Sequence, residues 1–217
     1  MSSKYIFFDL DGTLTNPKIG ITKSVQYSLE AFGIKVADTD SLTPFIGPPL
    51  KDSYKKYYGF SEAEAVLAVE KYREYFSERG IYENVIYDGI EDLLKEQAAL
   101  GKTLAVATSK PTVFAEKILR YFNIHEYFAF TAGSELDGNR TAKEQVIRYA
   151  LELLNIPHTD GVVMVGDREH DVLGAKKVGM RSVGVLYGFG DFAELFAANA
   201  DYIAADVHEL SRLLTKL

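Results

Sequence analysis

Lys4-Tyr-Ile-Phe-Phe-Asp-Leu-Asp-Gly-Thr-Leu-Thr15 decides the fold. Tyr5 to Phe8 form a short apolar, aromatic run that leads straight into Asp9, with Asp11, Gly12 and Thr13 just behind. Such a run reads as a buried strand. Two carboxylates at the end of a buried strand are costly unless they are paired or hold a cation. Residues i and i+2 point the same way from an extended chain, so Asp9 and Asp11 start on one side and Asp-x-Asp-Gly can turn them around a shared ion. A plain polar turn is the competing reading, because Asp and Gly are ordinary turn residues. The stretch therefore predicts a divalent-metal site at the carboxyl end of a sheet strand, where open α/β sheets carry their ligands.

Outward from this strand the pattern changes character. Ile21, Val25, Leu29 and Phe32 recur at helical spacing and predict a helix over 22–32, with Thr22 as its cap and Gly33 as its stop. Asp38 to Gly47 reads as a turn with a short helix, and Leu50 to Tyr58 as a helix after Pro48-Pro49. Ser61 and Glu64 match a capping box ahead of a long helix to about Arg79, closed by Gly80. Residues 16–83 thus contain helices and turns without a convincing buried strand. From there on, strands alternate with helices. Strands are expected at 103–107, 127–131, 162–165, 182–185 and near Tyr202-Ile203, and helices at 88–100, 111–122, 141–154, 168–178, 192–198 and 207–214. This alternation predicts a Rossmann-like parallel sheet with helices on both faces. The expected organisation is an α/β core of 1–15 and 84–217 with an inserted α-helical cap of 16–83, placed to close over a substrate.

Composition narrows the function classes. The chain has 217 residues, 47% of them hydrophobic and 25% charged, with a net charge of -7. An acidic surface disfavours a nucleic-acid polymer as partner. Cysteine is absent, which excludes disulfides and thiolate metal sites. The four histidines are scattered, and no apolar stretch approaches the length of a membrane span. The expectation is a cytoplasmic protein without membrane attachment, monomeric or weakly homodimeric. Tyr54, Tyr57 and Tyr58 admit two readings, as packing within the helical insertion or as a platform for a base.

Four chemistry-bearing stretches each fall at the end of a predicted strand. They are Asp9 with Asp11, Thr108-Ser109-Lys110, Lys143 after the loop 133–140, and Gly166-Asp167 to Asp171. Strand ends carrying Asp, Thr, Lys and Asp converge on one crevice in a doubly wound sheet. Together they resemble the haloacid dehalogenase-like superfamily over essentially the whole chain. The family's Asp-x-Asp-x-Thr is Asp9-Leu-Asp-Gly-Thr13, its strand-end Thr is Thr108, and its Gly-Asp-x-x-x-Asp is Gly166-Asp167 to Asp171. Its Lys matches Lys143, followed here by Glu144 where many relatives have Pro; Lys110 is the competitor. The helical insertion, Phe45-Ile46-Gly47 and Thr108-Ser109-Lys110 resemble the phosphoglycolate phosphatase and 5'-nucleotidase branch.

The resemblance implies a Mg²⁺-dependent phosphomonoester hydrolase acting on a small phosphorylated metabolite. It implies Asp9 as nucleophile, Asp11 as general acid and base, and Thr108 and Lys143 on the phosphoryl group. It assigns the metal to Asp9, Asp11 through its backbone carbonyl, Asp167 and Asp171, the last directly or through water. Substrate contacts are expected from Gly12, Thr13, Gly47, Ser109 and Lys110. An acid at Asp11 favours P–O cleavage over dehalogenation, because a halide needs no proton. A β-phosphoglucomutase-type phosphomutase and an inorganic pyrophosphatase are the alternatives.

Overall fold

The computed structural model describes residues 3–217. The chain divides into two compact units, one running through Asn16 and resuming at Ile86–Leu217, the other comprising Pro17–Val85.

The first unit is built on a six-stranded sheet. Its strands are β1 (Tyr5–Phe8), β4 (Thr103–Pro111), β5 (Phe128–Ser134), β6 (Val162–Gly166), β7 (Arg181–Val185) and β8 (Tyr202–Ala204). The short strands β2 (Thr15–Asn16) and β3 (Val85–Ile86) form a separate ribbon. In the main sheet the order is β5-β4-β1-β6-β7-β8, and every pairing is parallel. β1 is therefore central and both its faces are covered, which is why it is apolar throughout rather than alternating. From β1 the chain steps one way through β4 to β5 and the other way through β6 to β8. That reversal of direction is the switch point where such sheets open a crevice beyond their carboxyl ends. Register is tight there: Phe8 lies opposite Val106 on one side and Val165 on the other.

The helices are α4 (Ile90–Ala99), α5 (Thr112–Tyr121), α6 (Lys143–Leu153), α7 (Glu169–Lys177), α8 (Phe192–Ala197) and α9 (Val207–Lys216). Phe7 points to one face, where it packs with Ala105, Ala132 and Met164 under Val146, Ile147 and Ala150 of α6 and Ala175 of α7. Right-handed crossovers put α4 and α5 on the opposite face, and α9 packs with α4 there.

The second unit is helical, with α1 (Lys18–Ala31), a 3₁₀ stretch Thr39–Phe45, α2 (Leu50–Tyr58), α3 (Glu62–Tyr75) and a π-helical turn Phe76–Gly80. Its core is aromatic. Tyr54 is fully buried, stacked on Phe60 at 5.7 Å and edge-on to Phe45 at 5.0 Å. Of the two readings of Tyr54, packing within the insertion is the one observed; Tyr57 is 44% exposed. The capping box forms, with Glu64 N donating to Ser61 Oγ and Ser61 N donating to Glu64 Oε2.

Several boundaries differ from the sequence reading. α1 begins at Lys18 rather than 22, and Thr22 does not cap it; its hydroxyl donates to Lys18 O at 2.7 Å. Gly20 lies inside this helix at a point of close approach, since a Cβ there would lie 1.9 Å from Gly80 O. The long helix expected to Arg79 widens into the π-helical turn after Tyr75. β4 runs on to Pro111, with an irregular register between Ala107 and Pro111.

Candidate active site

The site grows from the end of β1. Asp9 N donates to Val165 O at 2.8 Å, so Asp9 is still part of the sheet although its side chain is the first polar one. The chain then turns at Gly12, whose φ of +83° suits glycine. A Cβ on Gly12 would lie 2.1 Å from Asp167 Oδ2, so the turn passes directly against the acid that follows β6.

Lys143, the first residue of α6, reaches into this end of the sheet. Its ammonium lies 2.8 Å from Asp9 Oδ1 and 2.7 Å from Asp171 Oδ1, and donates to Ala107 O at 3.1 Å. Lys110 Nζ sits 2.5 Å from Asp11 Oδ2. Both lysine side chains are almost completely buried. Asp167 accepts from Phe189 N at 2.8 Å and, at 3.5 Å, from the Thr13 hydroxyl. Asp171 Oδ2 accepts from Arg168 N at 3.1 Å. Thr108 is buried, and Lys110 N donates to its hydroxyl oxygen at 3.3 Å.

Charge is unbalanced. Four buried carboxylates, Asp9, Asp11, Asp167 and Asp171, face two ammonium groups, Lys110 and Lys143. Burial is the largest influence on three of the acids and raises their pKa values. It lifts Asp11 against the opposing pull of Lys110, and Asp171 to about 6 against that of Lys143. It carries Asp167 well above the usual carboxylate range, with the charges of Asp171 and Asp9 adding to the effect. For Lys143 burial works against the charged form, but Asp171 and Asp9 outweigh it and raise its pKa. Asp11 Oδ1 is buried and accepts no hydrogen bond among the described residues. Asp9, Asp167 and Asp171 each offer one carboxylate oxygen, all within 4.8 Å of one another. Two surplus negative charges and an all-oxygen donor set fit one hard divalent cation.

The profile of the haloacid dehalogenase-like hydrolases matches residues 6–185. The chain belongs to that family. Among curated proteins, this hydrolase is 48% identical to a 5'-nucleotidase of Pseudomonas aeruginosa, over 96% of the chain and 94% of the relative. It is 39% identical to the tyrosine-protein kinase PtkA of Mycobacterium tuberculosis, over 98% of the chain and 73% of the relative. A solved structure described as a predicted phosphatase from Clostridium acetobutylicum superposes with a TM-score of 0.98 at 51% identity, covering all of both chains.

Within the hydrolase, the acids and lysines singled out by their strand-end positions meet in one cluster with Gly12, Thr13 and Thr108. Lys143 and Lys110 divide the work, the first between Asp9 and Asp171 and the second on Asp11. Ser109 lies between Thr108 and Lys110 in β4 and is half-buried. Gly47 belongs to the helical unit, where its φ is +102°. No helix among the described residues is long and apolar enough to cross a membrane.

Sequence reasoning missed the loop after β7. The Tyr187 hydroxyl donates to Thr13 O at 3.0 Å, and Phe189 N supports Asp167. Between them, a Cβ on Gly188 would lie 2.4 Å from both Asp167 Cβ and Gly12 O. The signal was present: Tyr187-Gly-Phe-Gly190 is a glycine-rich run at yet another strand end.

Proposed function

We propose that this hydrolase cleaves the phosphate monoester of a small metabolite through an aspartyl-phosphate on Asp9, with Mg²⁺ as its metal. The observation that carries the reading is the buried cluster of Asp9, Asp11, Asp167 and Asp171 around Lys143 and Lys110. Mg²⁺ held by Asp9, Asp167 and Asp171 would supply the charge that lets an anionic phosphoester approach an anionic nucleophile. Asp9 attacks phosphorus, a carboxylate oxygen–phosphorus bond forms, and the bond to the leaving oxygen breaks. Asp11 gives that oxygen its proton; later it takes one from the water that attacks phosphorus and releases Asp9. Thr108 and Lys143 bind the phosphoryl oxygens, and backbone N–H groups around Gly12 and Ser109 complete the cradle. The pairing of Lys110 with Asp11 supports a role in aiming the acid rather than in neutralising the nucleophile.

The resemblance to a 5'-nucleotidase makes nucleoside 5'-monophosphates the first substrates to try, with phosphoglycolate, sugar phosphates and pyrophosphate alongside. The test is Mg²⁺-dependent phosphate release across this panel, with Asp9→Asn as control. Turnover of one class that disappears in Asp9→Asn is the expected result; no release from any compound overturns the reading. A second reading, transfer of the aspartyl phosphate to an acceptor other than water, is favoured by the 39% identity to a tyrosine-protein kinase. It predicts label on an added sugar phosphate or tyrosyl hydroxyl at the expense of free phosphate.

A further inference from the structure

Glu194 is half-buried in a network that no step of the proposed reaction uses. Asp191 caps α8, its Oδ1 accepting from Glu194 N at 2.8 Å, and this places Glu194 in the first turn of the helix. From there the carboxylate turns towards α7. Its Oε1 accepts from Glu169 N and from Arg168 Nε, both at 2.8 Å. Glu169 is the first residue of α7, so its N–H has no partner within the helix. Glu194 fills that place from another element. The pair with Arg168 is charge-assisted and mostly shielded, the two side chains being 18% and 21% exposed.

These contacts bracket the turn that carries two of the candidate metal ligands. Arg168 and Glu169 lie between Asp167 and Asp171. The contacts that hold Arg168 include its N on Asp171 Oδ2, its Nε on Glu194 and, through the neighbouring peptide, Glu169 N on Glu194. The segment leading into α8 supports Asp167 through Phe189 N. We propose that Glu194 is a positioning residue for the metal centre: it fixes the Asp167–Asp171 turn at the spacing that binds a divalent ion, without touching the ion. The inference rests on the metal-dependent reading above. It assigns to α8 a part in metal affinity that strand-end motifs do not reveal.

Calorimetric titration of the full-length, metal-stripped protein with Mg²⁺ tests it. Glu194→Ala is expected to raise the dissociation constant by about 10–100-fold, the usual loss when a group that orients metal ligands is removed. Glu194→Gln keeps the acceptor and drops the charge, so it should recover most of that loss and still bind about threefold more weakly than the wild type. With a substrate in hand, kcat at saturating Mg²⁺ should stay within about threefold of the wild type while the Mg²⁺ requirement rises, a split that loss of a mere strut between helices would not produce. A dissociation constant within about twofold of the wild type in folded Glu194→Ala overturns the proposal. If that variant does not fold, an unchanged constant in Glu194→Gln does so. A wild type that binds no divalent ion overturns this proposal and the metal-dependent reading together, whereas a binding wild type with unchanged variants overturns this one alone.

Discussion

Lys143 carries more of the site than any other single residue. It is the one cation between two buried carboxylates, and its ammonium lies within 2.8 Å of both Asp9 and Asp171. Removing one partner of a buried ion pair leaves an uncompensated charge, which typically costs about 3–5 kcal/mol. Lys143→Met in the metal-free protein should lose stability of that order at pH 8, read from denaturant midpoints. The loss should shrink at pH 5, because Asp171, already raised to about 6, can then take up a proton instead. A variant as stable as the wild type at pH 8 would remove Lys143 from the charge balance. Residues like this one were legible because each acid or lysine sits in a short local pattern at a predicted strand end. Tyr187 and Glu194 were not. Tyr187 acts through its hydroxyl on the Thr13 carbonyl, and Glu194 binds a turn 25 residues earlier in the chain, contacts that no local spacing announces.

Elements were legible where composition alone defines them and less so where packing does. The apolar runs at 103–107, 162–165 and 182–185 are strands because a sheet covered on both faces needs nothing else. The start of α1 was hidden by Gly20, a poor helix former in isolation that the fold uses as a contact with Gly80. The extension of β4 to Pro111 was hidden by Thr108-Ser109-Lys110, three polar residues that look like a loop but stay extended beside β5. The helical insertion makes its own prediction. Its core is a ring cluster around Tyr54, with Phe45 at 5.0 Å and Phe60 at 5.7 Å. Truncating a buried aromatic side chain costs about 3–5 kcal/mol, since neither ring can collapse into the space. Tyr54→Ala should therefore loosen Pro17–Val85 selectively. Hydrogen exchange should show faster opening of amides in α2 and α3 while those of β1 and β6 keep their protection. Uniform loss across both units would mean that the two do not unfold as separate bodies.

At the scale of the molecule the strand order gathers the charge. β1 lies between β4 and β6, so the acids after β1 meet the acids after β6 and the lysines of β4 and α6 at one end of the sheet. Periodicity marks strands but not their neighbours, so the convergence expected of the strand ends acquired its individual acid–lysine pairings only with the sheet order. It carries a cost that depends on pH. Asp167 is pushed well above 3.8 and Asp171 to about 6, chiefly by burial. Between the unfolded and folded pKa values the folded protein holds protons that the unfolded chain has lost. The contribution of these two acids to the stability of the metal-free protein then falls as pH rises from about 4 through 6 and beyond, the reverse of the usual salt-bridged carboxylate. A divalent ion selects the ionised acids, so its stabilisation should grow over the same range. At a hundredfold excess over its dissociation constant it contributes about 2.7 kcal/mol. The melting temperatures of Mg²⁺-loaded and EDTA-treated protein should accordingly lie close together near pH 5 and separate by several degrees near pH 8, as that free energy implies for a chain of this size. A constant gap across the range would mean that the acids at the sheet end are not what the metal neutralises.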